Sequence, residues 1–128
     1  MPATVGVLSG TPVVGMSASE LEAFARRGPS VAKCSTRELP LAMAQGSDGA
    51  TTVAATARLA RLVGLDVFVT GGCGGVHRGG EASWDVSADL VELSQVPMLV
   101  VRRVASTTQS FVYNGLARSW FTRVGLGE

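Results

Sequence analysis

Short apolar runs alternate with amphipathic segments along this chain. The runs "TVGVL", "PVVGM", "VAKCS", "DVFV" and "PMLVV" predict β-strands, and the "SGT" between the first two predicts a tight turn. Helical periodicity appears in "SASELEAFARRG", "STRELPLAMAQG", "DGATTVAATARLARLVG" and "DVSADLVELS". Strands that alternate with helices favour an α/β layered fold, with a mostly parallel sheet flanked by helices.

The predicted helices carry recognisable start and stop signals. Ser17 and Glu20 have capping-box spacing, and Ser35 and Glu38 repeat it before the second helix. The third and longest helix is expected to be capped by Asp48 and closed by a glycine. One buried face is expected along this third helix, formed by Val53, Ala57, Ala60 and Val63.

Composition indicates one folded unit. At 128 residues, with 46% hydrophobic and 16% charged residues, the chain suits a single domain rather than a disordered segment. After Val101 the sequence becomes rich in arginine and polar residues without sustained periodicity. We therefore assign residues 1–101 to the domain and residues 102–128 to a divergent tail.

Charge and apolar content narrow the possible partners. A net charge of +1 and 5% aromatic residues give no sign of a nucleic-acid surface. No apolar run reaches the length of a membrane span, and the first residues lack signal-peptide features, so we expect a soluble cytoplasmic protein. Cys34 and Cys73 are too few and too irregularly placed for a disulfide framework or a zinc site, which favours small buried thiols.

The segment "TGGCGGVHRGG" (70–80), called the glycine loop below, follows the strand "DVFV" directly. A dinucleotide fingerprint starting at Gly72 would need a third glycine where His77 stands, and a P-loop would need a lysine where Glu81 stands. Two interpretations remain. Glycines at the carboxyl end of a strand allow backbone N–H groups to approach a ligand, or they only ease a turn. His77 alone does not decide between them.

Three carboxylates follow the glycine loop at four-residue spacing. Glu81, Asp85 and Asp89 would lie along one face if the segment were a continuous helix. Such a face is ordinarily solvated. It could also supply oxygen ligands to a hard cation such as Mg²⁺ or Mn²⁺.

Taken together, "KCSTRELP", "DGATTVAAT", "VFVTGGCGGVHRGGE" and "WDVSADLVEL" resemble, in order and spacing, the pseudouridine-5′-phosphate glycosidase family, also called indigoidine synthase A-like. The resemblance covers about residues 3–101. It implies reversible cleavage of the carbon–carbon bond between ribose 5-phosphate and uracil in pseudouridine 5′-phosphate, with Mn²⁺ and usually in a trimer. The glycine loop would then shape a sugar-phosphate site.

The resemblance also implies roles for individual residues. Lys33 matches a substrate-binding lysine, which as a point charge suits a phosphate. Val53 matches a position whose backbone contacts substrate, and Asp85 matches a metal-binding aspartate. Ser87, Ala88 and Asp89 match a substrate-contacting segment.

Two family motifs have no counterpart in the sequence. The family opens the ribose and forms an iminium on a lysine in a "GAKS"-like motif, while a glutamate in an "ALEST"-like strand acts as acid. Where the family has the "GAKS"-like motif, this chain has "RRVAST", with Ser106 in place of the lysine. The only lysine of the sequence is Lys33. We therefore assign no catalytic residue. The alternative to a glycosidase is a non-catalytic remnant that binds phosphate, a metal or full-length subunits.

Overall fold

The computed structural model describes residues 1–76 and 79–102. Its strands are β1 (Val5–Leu8), β2 (Thr11–Val14), β3 (Ala32–Cys34), β4 (Gly49–Thr51), β5 (Val67–Thr70) and β6 (Leu99–Arg102). Its helices are α1 (Ala18–Arg27), α2 (Leu39–Gln45), α3 (Val53–Leu62), α4 (Gly80–Ser83) and α5 (Ala88–Gln95). The α/β class is confirmed, and none of these helices is long and apolar enough to cross a membrane.

The strands form two sheets of mixed direction. The first, called the core sheet, has the order β2-β1-β4-β3, and the second, the two-stranded sheet, pairs β5 with β6. Strand β1 is antiparallel to both β2 and β4, whereas β3–β4 and β5–β6 are parallel. The expectation of a mostly parallel sheet is therefore wrong. The two-residue connection between β1 and β2 reverses the chain, so β2 must run against β1.

The hairpin turn has the predicted position and a specific geometry. Ser9 and Gly10 both have positive φ, of 47° and 78°, as a two-residue turn of the twisted hairpin kind requires. A Cβ at Gly10 would come within 2.8 Å of the Gly46 Cα, so the turn also packs against the end of α2. Glycine at this position therefore serves both the backbone conformation and the close approach.

The hydrophobic core lies between the core sheet and helices α2 and α3. Its buried cluster consists of Val7, Cys34, Leu39, Ala42, Ala55 and Leu59. Burial, with a smaller contribution from the charge of Glu38, raises the pKa of the Cys34 thiol. Cys34 is thus a buried thiol as predicted, whereas Cys73 is half-buried.

Local capping signals succeed at α1 and fail at α3. The Ser17–Glu20 capping box is present at the start of α1. Helix α3, however, begins at Val53 and not after Asp48, because residues 49–51 form β4 between β1 and β3. The carboxylate of Asp48 instead accepts a hydrogen bond from the Ser9 N–H (2.8 Å) and pairs with Arg27. Tertiary pairing here overrides the local cap signal.

Helix α2 also begins later than its capping signal predicts. Glu38 accepts a hydrogen bond from the Ser35 N–H (3.0 Å), but the helix starts at Leu39, with Pro40 in its first turn. Proline is tolerated in that position because the first N–H groups of a helix have no intrahelical partner. Residues 36–38 form a turn instead.

The apolar face of α3 differs from the predicted one. The buried residues of this helix are Ala54, Ala55, Ala57, Leu59 and Ala60. Ala57 and Ala60 are buried as expected, whereas Val63 lies beyond the helix and is 59% exposed. Because most of the face is alanine, the helix can approach the core sheet closely.

Candidate functional site

The carboxyl ends of β3 and β4 bring together two of the predicted substrate residues. Lys33 pairs in register with Ala50, and Cys34 pairs with Thr51. The Thr52 N–H donates to the Cys34 carbonyl (2.9 Å), and α3 starts at the next residue, Val53. Lys33 is exposed, and Val53 is half-buried at the start of the helix. The sheet therefore presents one lysine and one helix N-terminus at the same end.

The Asp89 carboxylate links this helix start to the glycine loop. Asp89 lies in the first turn of α5 and is only 7% exposed. Its Oδ1 accepts a hydrogen bond from the Ala54 N–H (2.8 Å), and its Oδ2 accepts one from the Gly74 N–H (2.7 Å). Both oxygens of this predicted substrate residue are therefore engaged by backbone amides of the chain itself.

The second half of the glycine loop packs closely against the segment before α5. The Ser87 N–H donates to the Gly75 carbonyl (2.9 Å), and Val76 forms an antiparallel bridge with Val86. The Ser87 hydroxyl in turn accepts a hydrogen bond from the Asp89 N–H (3.2 Å) and caps α5. Ala88 is the first residue of that helix and is half-buried. His77 lies outside the described residues.

The three carboxylates do not share a helix face, contrary to the spacing argument. Helix α4 ends at Ser83, Trp84 takes a left-handed conformation (φ 56°), and α5 begins only at Ala88. Glu81 and Asp85 are exposed, whereas Asp89 is buried. No group of three or more His, Cys, Asp or Glu residues that could hold a metal occurs within 1–76 and 79–102. Asp85 would thus contribute a single carboxylate.

Behind this cluster, an ion pair joins α3 to α5. The Arg58 guanidinium donates two hydrogen bonds to the Glu92 carboxylate, at 2.8 and 2.7 Å. Glu92 is 4% exposed, so the fork of donors satisfies a buried charge. These hydrogen bonds, together with the charge of Glu92, raise the pKa of Arg58. The pair fixes the two helices whose N-termini meet at Asp89.

A groove of about 750 Å³ opens beside the site. Thr51, Val53 and Thr70 line one part of it, at the ends of β4 and β5, and the N-terminal residues 1–5 line another. The groove therefore lies between α3, the start of β1 and strand β5. It is large enough for a sugar phosphate.

Two members of this cluster could not be found from residue type. Ala54 and Gly74 contribute only their backbone N–H groups, and no side-chain chemistry marks them. A usable signal existed for Ser87, because serine two residues before an aspartate and ahead of an apolar run is typical of a helix N-cap.

The family model for "Indigoidine synthase A like protein" matches residues 1–110. A pseudouridine-5′-phosphate glycosidase from Chloroflexus aurantiacus is 54% identical over 101 residues, which are 79% of this chain and 33% of that protein. A protein of the same name from Hahella chejuensis is 41% identical over 126 residues, 98% of this chain and 41% of that protein. The chain thus spans 33% and 41% of the lengths of these two curated relatives.

Two solved structures share the fold. The prealnumycin C-glycosynthase AlnA, in complex with ribulose 5-phosphate, has a TM-score of 0.75 and 44% identity over 80% of this chain and 33% of that chain. An indigoidine synthase A-like protein from Thermotoga maritima has a TM-score of 0.64 and 51% identity over 72% of this chain and 30% of that chain. With the family-model match over residues 1–110, these similarities establish that the chain belongs to the indigoidine synthase A-like family.

Proposed function

We propose that the chain acts as part of a pseudouridine-5′-phosphate glycosidase, which cleaves the C-glycosidic bond of pseudouridine 5′-phosphate reversibly to uracil and ribose 5-phosphate. The observation that carries the proposal is the hydrogen-bonded cluster in which Asp89 joins the start of α3 to the glycine loop. Three of the four sequence motifs that resemble the family meet in this cluster. The names of relatives up to 54% identical support the same function.

Substrate binding follows from the groups exposed around this cluster. Lys33 is an exposed cation near the end of β3, in register with Ala50, and a lysine ammonium is a suitable point charge for the phosphate of ribose 5-phosphate. The N-terminus of α3, at Val53, adds a positive partial charge. The adjacent groove, partly lined by Val53 and Thr70, offers space for the sugar. A sugar phosphate matches this combination better than a neutral ligand.

The proposal includes Mn²⁺ at Asp85. Asp85 is an exposed carboxylate next to the Ser87–Asp89 segment, and a hard cation prefers such oxygen ligands. A site with one protein carboxylate fits an ion that keeps several waters and takes further oxygens from a substrate. When bound, the ion would supply Lewis-acid stabilisation of substrate oxygens. Asp85 would hold it there, while Lys33 and the α3 N-terminus bind the phosphate.

A non-catalytic role is the second candidate function. It is favoured by the single lysine of the sequence, because Lys33 is assigned to phosphate binding and no other lysine can form an iminium. In that case the chain would bind sugar phosphate or metal, or associate with full-length subunits. For the glycosidase itself we propose a cytoplasmic homo-oligomer, a trimer as the family resemblance implies.

Uracil release from pseudouridine 5′-phosphate, in the presence of Mn²⁺ and followed by chromatography, tests the proposal. Binding of ribose 5-phosphate is measured in parallel by calorimetry. The informative variants are Asp85→Asn and Lys33→Met. The matched control is Glu22→Gln, which changes an exposed carboxylate of α1 that pairs with Arg26, away from the groove.

The glycosidase proposal expects uracil release that is lost in Asp85→Asn and retained in Glu22→Gln. Binding of ribose 5-phosphate that weakens in Lys33→Met, without any uracil release, would instead support the second candidate. A folded chain that neither binds the sugar phosphate nor releases uracil would contradict the glycosidase proposal and would limit the second candidate to binding of a metal or of full-length subunits. Circular dichroism of each variant establishes that it is folded.

A further inference from the structure

Asp89 is a buried carboxylate whose two oxygens serve two different segments. Oδ1 accepts the Ala54 N–H of α3, 35 residues away in sequence, and Oδ2 accepts the Gly74 N–H of the glycine loop, 15 residues away. A buried charge is costly unless it is paired or hydrogen-bonded. Asp89 meets this condition with two backbone N–H groups and with the positive ends of two helices, α3 and α5.

At the start of α3, the Asp89 carboxylate takes the place of an N-cap side chain. The N-cap position is held by Thr52, whose side chain makes no capping hydrogen bond. Among the described residues, the buried Thr52 Oγ1 has no hydrogen-bond partner at all. The Ala54 N–H, which an N-cap side chain would normally satisfy, is satisfied by Asp89 instead. The start of α3 is thus fixed by a side chain from another helix.

At the glycine loop, the Asp89 carboxylate binds the backbone of Gly74, which comes close to Ser87 and Asp89 because glycine has no side chain. A Cβ added to Gly74 would lie 2.2 Å from the Ser87 Oγ and 3.1 Å from the Asp89 Oδ2. Glycine at this position therefore permits a contact that alanine would push apart. Gly74 therefore supplies the N–H donor and the space for the close approach, and Asp89 supplies the acceptor oxygen.

We propose that Asp89 is a positioning residue, which sets the spacing between the glycine loop and the start of α3, rather than a group that contacts substrate. The inference rests on the proposed function only where it concerns ligand affinity. Val53, at the start of α3, and Thr70, the first residue of the glycine loop, both line the groove, so the Asp89 bridge between these two segments sets its width there. Loss of the bridge separates the two sides without removing any group that touches the sugar phosphate.

The test compares Asp89→Asn, Gly74→Ala and the double variant with the wild-type chain. Asparagine keeps one acceptor oxygen but turns an N–H group toward one of the two amides, so one of the two hydrogen bonds is lost. Gly74→Ala breaks the loop contact while leaving the carboxylate intact. Glu22→Gln controls for the change of charge, and Val7→Ala, which leaves a cavity in the hydrophobic core, controls for lost stability.

The first measurement is amide hydrogen exchange of Gly74 and Ala54 by NMR, without ligand. A hydrogen bond to a charged group corresponds to about a 10- to 100-fold change in an equilibrium constant. We therefore expect exchange to accelerate by about that factor at Gly74 or at Ala54 in Asp89→Asn, and at residue 74 in Gly74→Ala. The two controls should leave the exchange of Gly74 relative to the rest of the chain unchanged.

The second measurement is the dissociation constant for ribose 5-phosphate under conditions in which every variant is folded. We expect it to rise about tenfold or more in each single variant and no further in the double variant, because both changes break one contact. Weaker binding in Asp89→Asn with unchanged exchange at both Gly74 and Ala54, or additive losses in the double variant, would overturn the proposal in favour of direct contact. If the wild-type chain binds no ribose 5-phosphate, the proposed function fails, and the exchange measurement still decides whether Asp89 holds the two segments together.

Discussion

The core sheet and the two-stranded sheet contain similar apolar strands, but these strands differ in how far their side chains are buried. Val7 in β1 is 0% exposed, because α2 and α3 cover that side of the core sheet. In the two-stranded sheet, Val67 and Val69 are 57% and 71% exposed. Their register partners, Leu99 and Val101, are also exposed, so one whole face of this sheet is apolar and open. The prediction that "DVFV" forms a strand is confirmed, although its two valines are largely exposed.

Strand formation and burial therefore have separate causes in this chain. Parallel pairing of β5 with β6 satisfies the backbone of both strands, whatever lies above their side chains. Burial requires another layer, which the core sheet has and the open face of the two-stranded sheet lacks within the described residues. β-prone residues in a short run predict the first property and leave the second undetermined.

The strongest test of this comparison is one substitution made in both sheets. Val7→Ala removes two buried methyl groups and leaves a cavity, so we expect it to lower the free energy of unfolding by about 2–3 kcal/mol. Val69→Ala removes the same groups from a largely exposed position and should change it by less than about 0.5 kcal/mol. Urea unfolding followed by circular dichroism measures both. Equal effects would mean that the face of Val69 is covered in solution.

A second substitution tests what ties the two regions together. Arg58→Met removes the partner of the buried Glu92 and weakens the contact between α3, which covers the core sheet, and α5. Because Arg58 is half-exposed and water can replace part of its interaction, we expect a loss of about 1–2 kcal/mol in unfolding free energy. Arg61→Met, on the same helix, removes a pair with a largely exposed aspartate and should cost less than about 0.5 kcal/mol. A larger loss for Arg61→Met would contradict the assignment.

Local signals account for the parts of the fold that the sequence predicted correctly. The Ser17–Glu20 capping box and the Ser9–Gly10 turn each depend on residues within four positions of one another. The strand at residues 49–51 depends instead on β1 and β3, which are remote in sequence. For this reason Asp48, directly before that strand, was predicted to be a helix cap.

The candidate site likewise contains residues that the sequence predicted and contacts that it did not. Family motifs identified Lys33, Val53, Asp85 and the segment from Ser87 to Asp89 as residues of one site, and these roles stay predictions. The bridge from Asp89 to Ala54 and Gly74 was not predictable, because both partners are backbone amides. The domain boundary at Val101 also stays a prediction, since residues 103–128 lie outside the described part.

The smallest expected effect concerns Asp48, where the β1–β2 turn meets the end of α1. The hydrogen bond from the Ser9 N–H, followed by the pairing with Arg27, lowers the pKa of the Asp48 carboxyl below its ordinary value of 3.8. Since the unfolded chain then binds this proton more tightly, the stabilisation is complete above the unfolded pKa and is lost as pH falls through the folded one. We expect Asp48→Asn to flatten the decline of the urea midpoint below about pH 4. Arg27→Met should flatten this decline less, because the hydrogen bond from Ser9 remains. An unchanged decline in Asp48→Asn would show that this carboxylate does not contribute to the acid sensitivity of the core sheet.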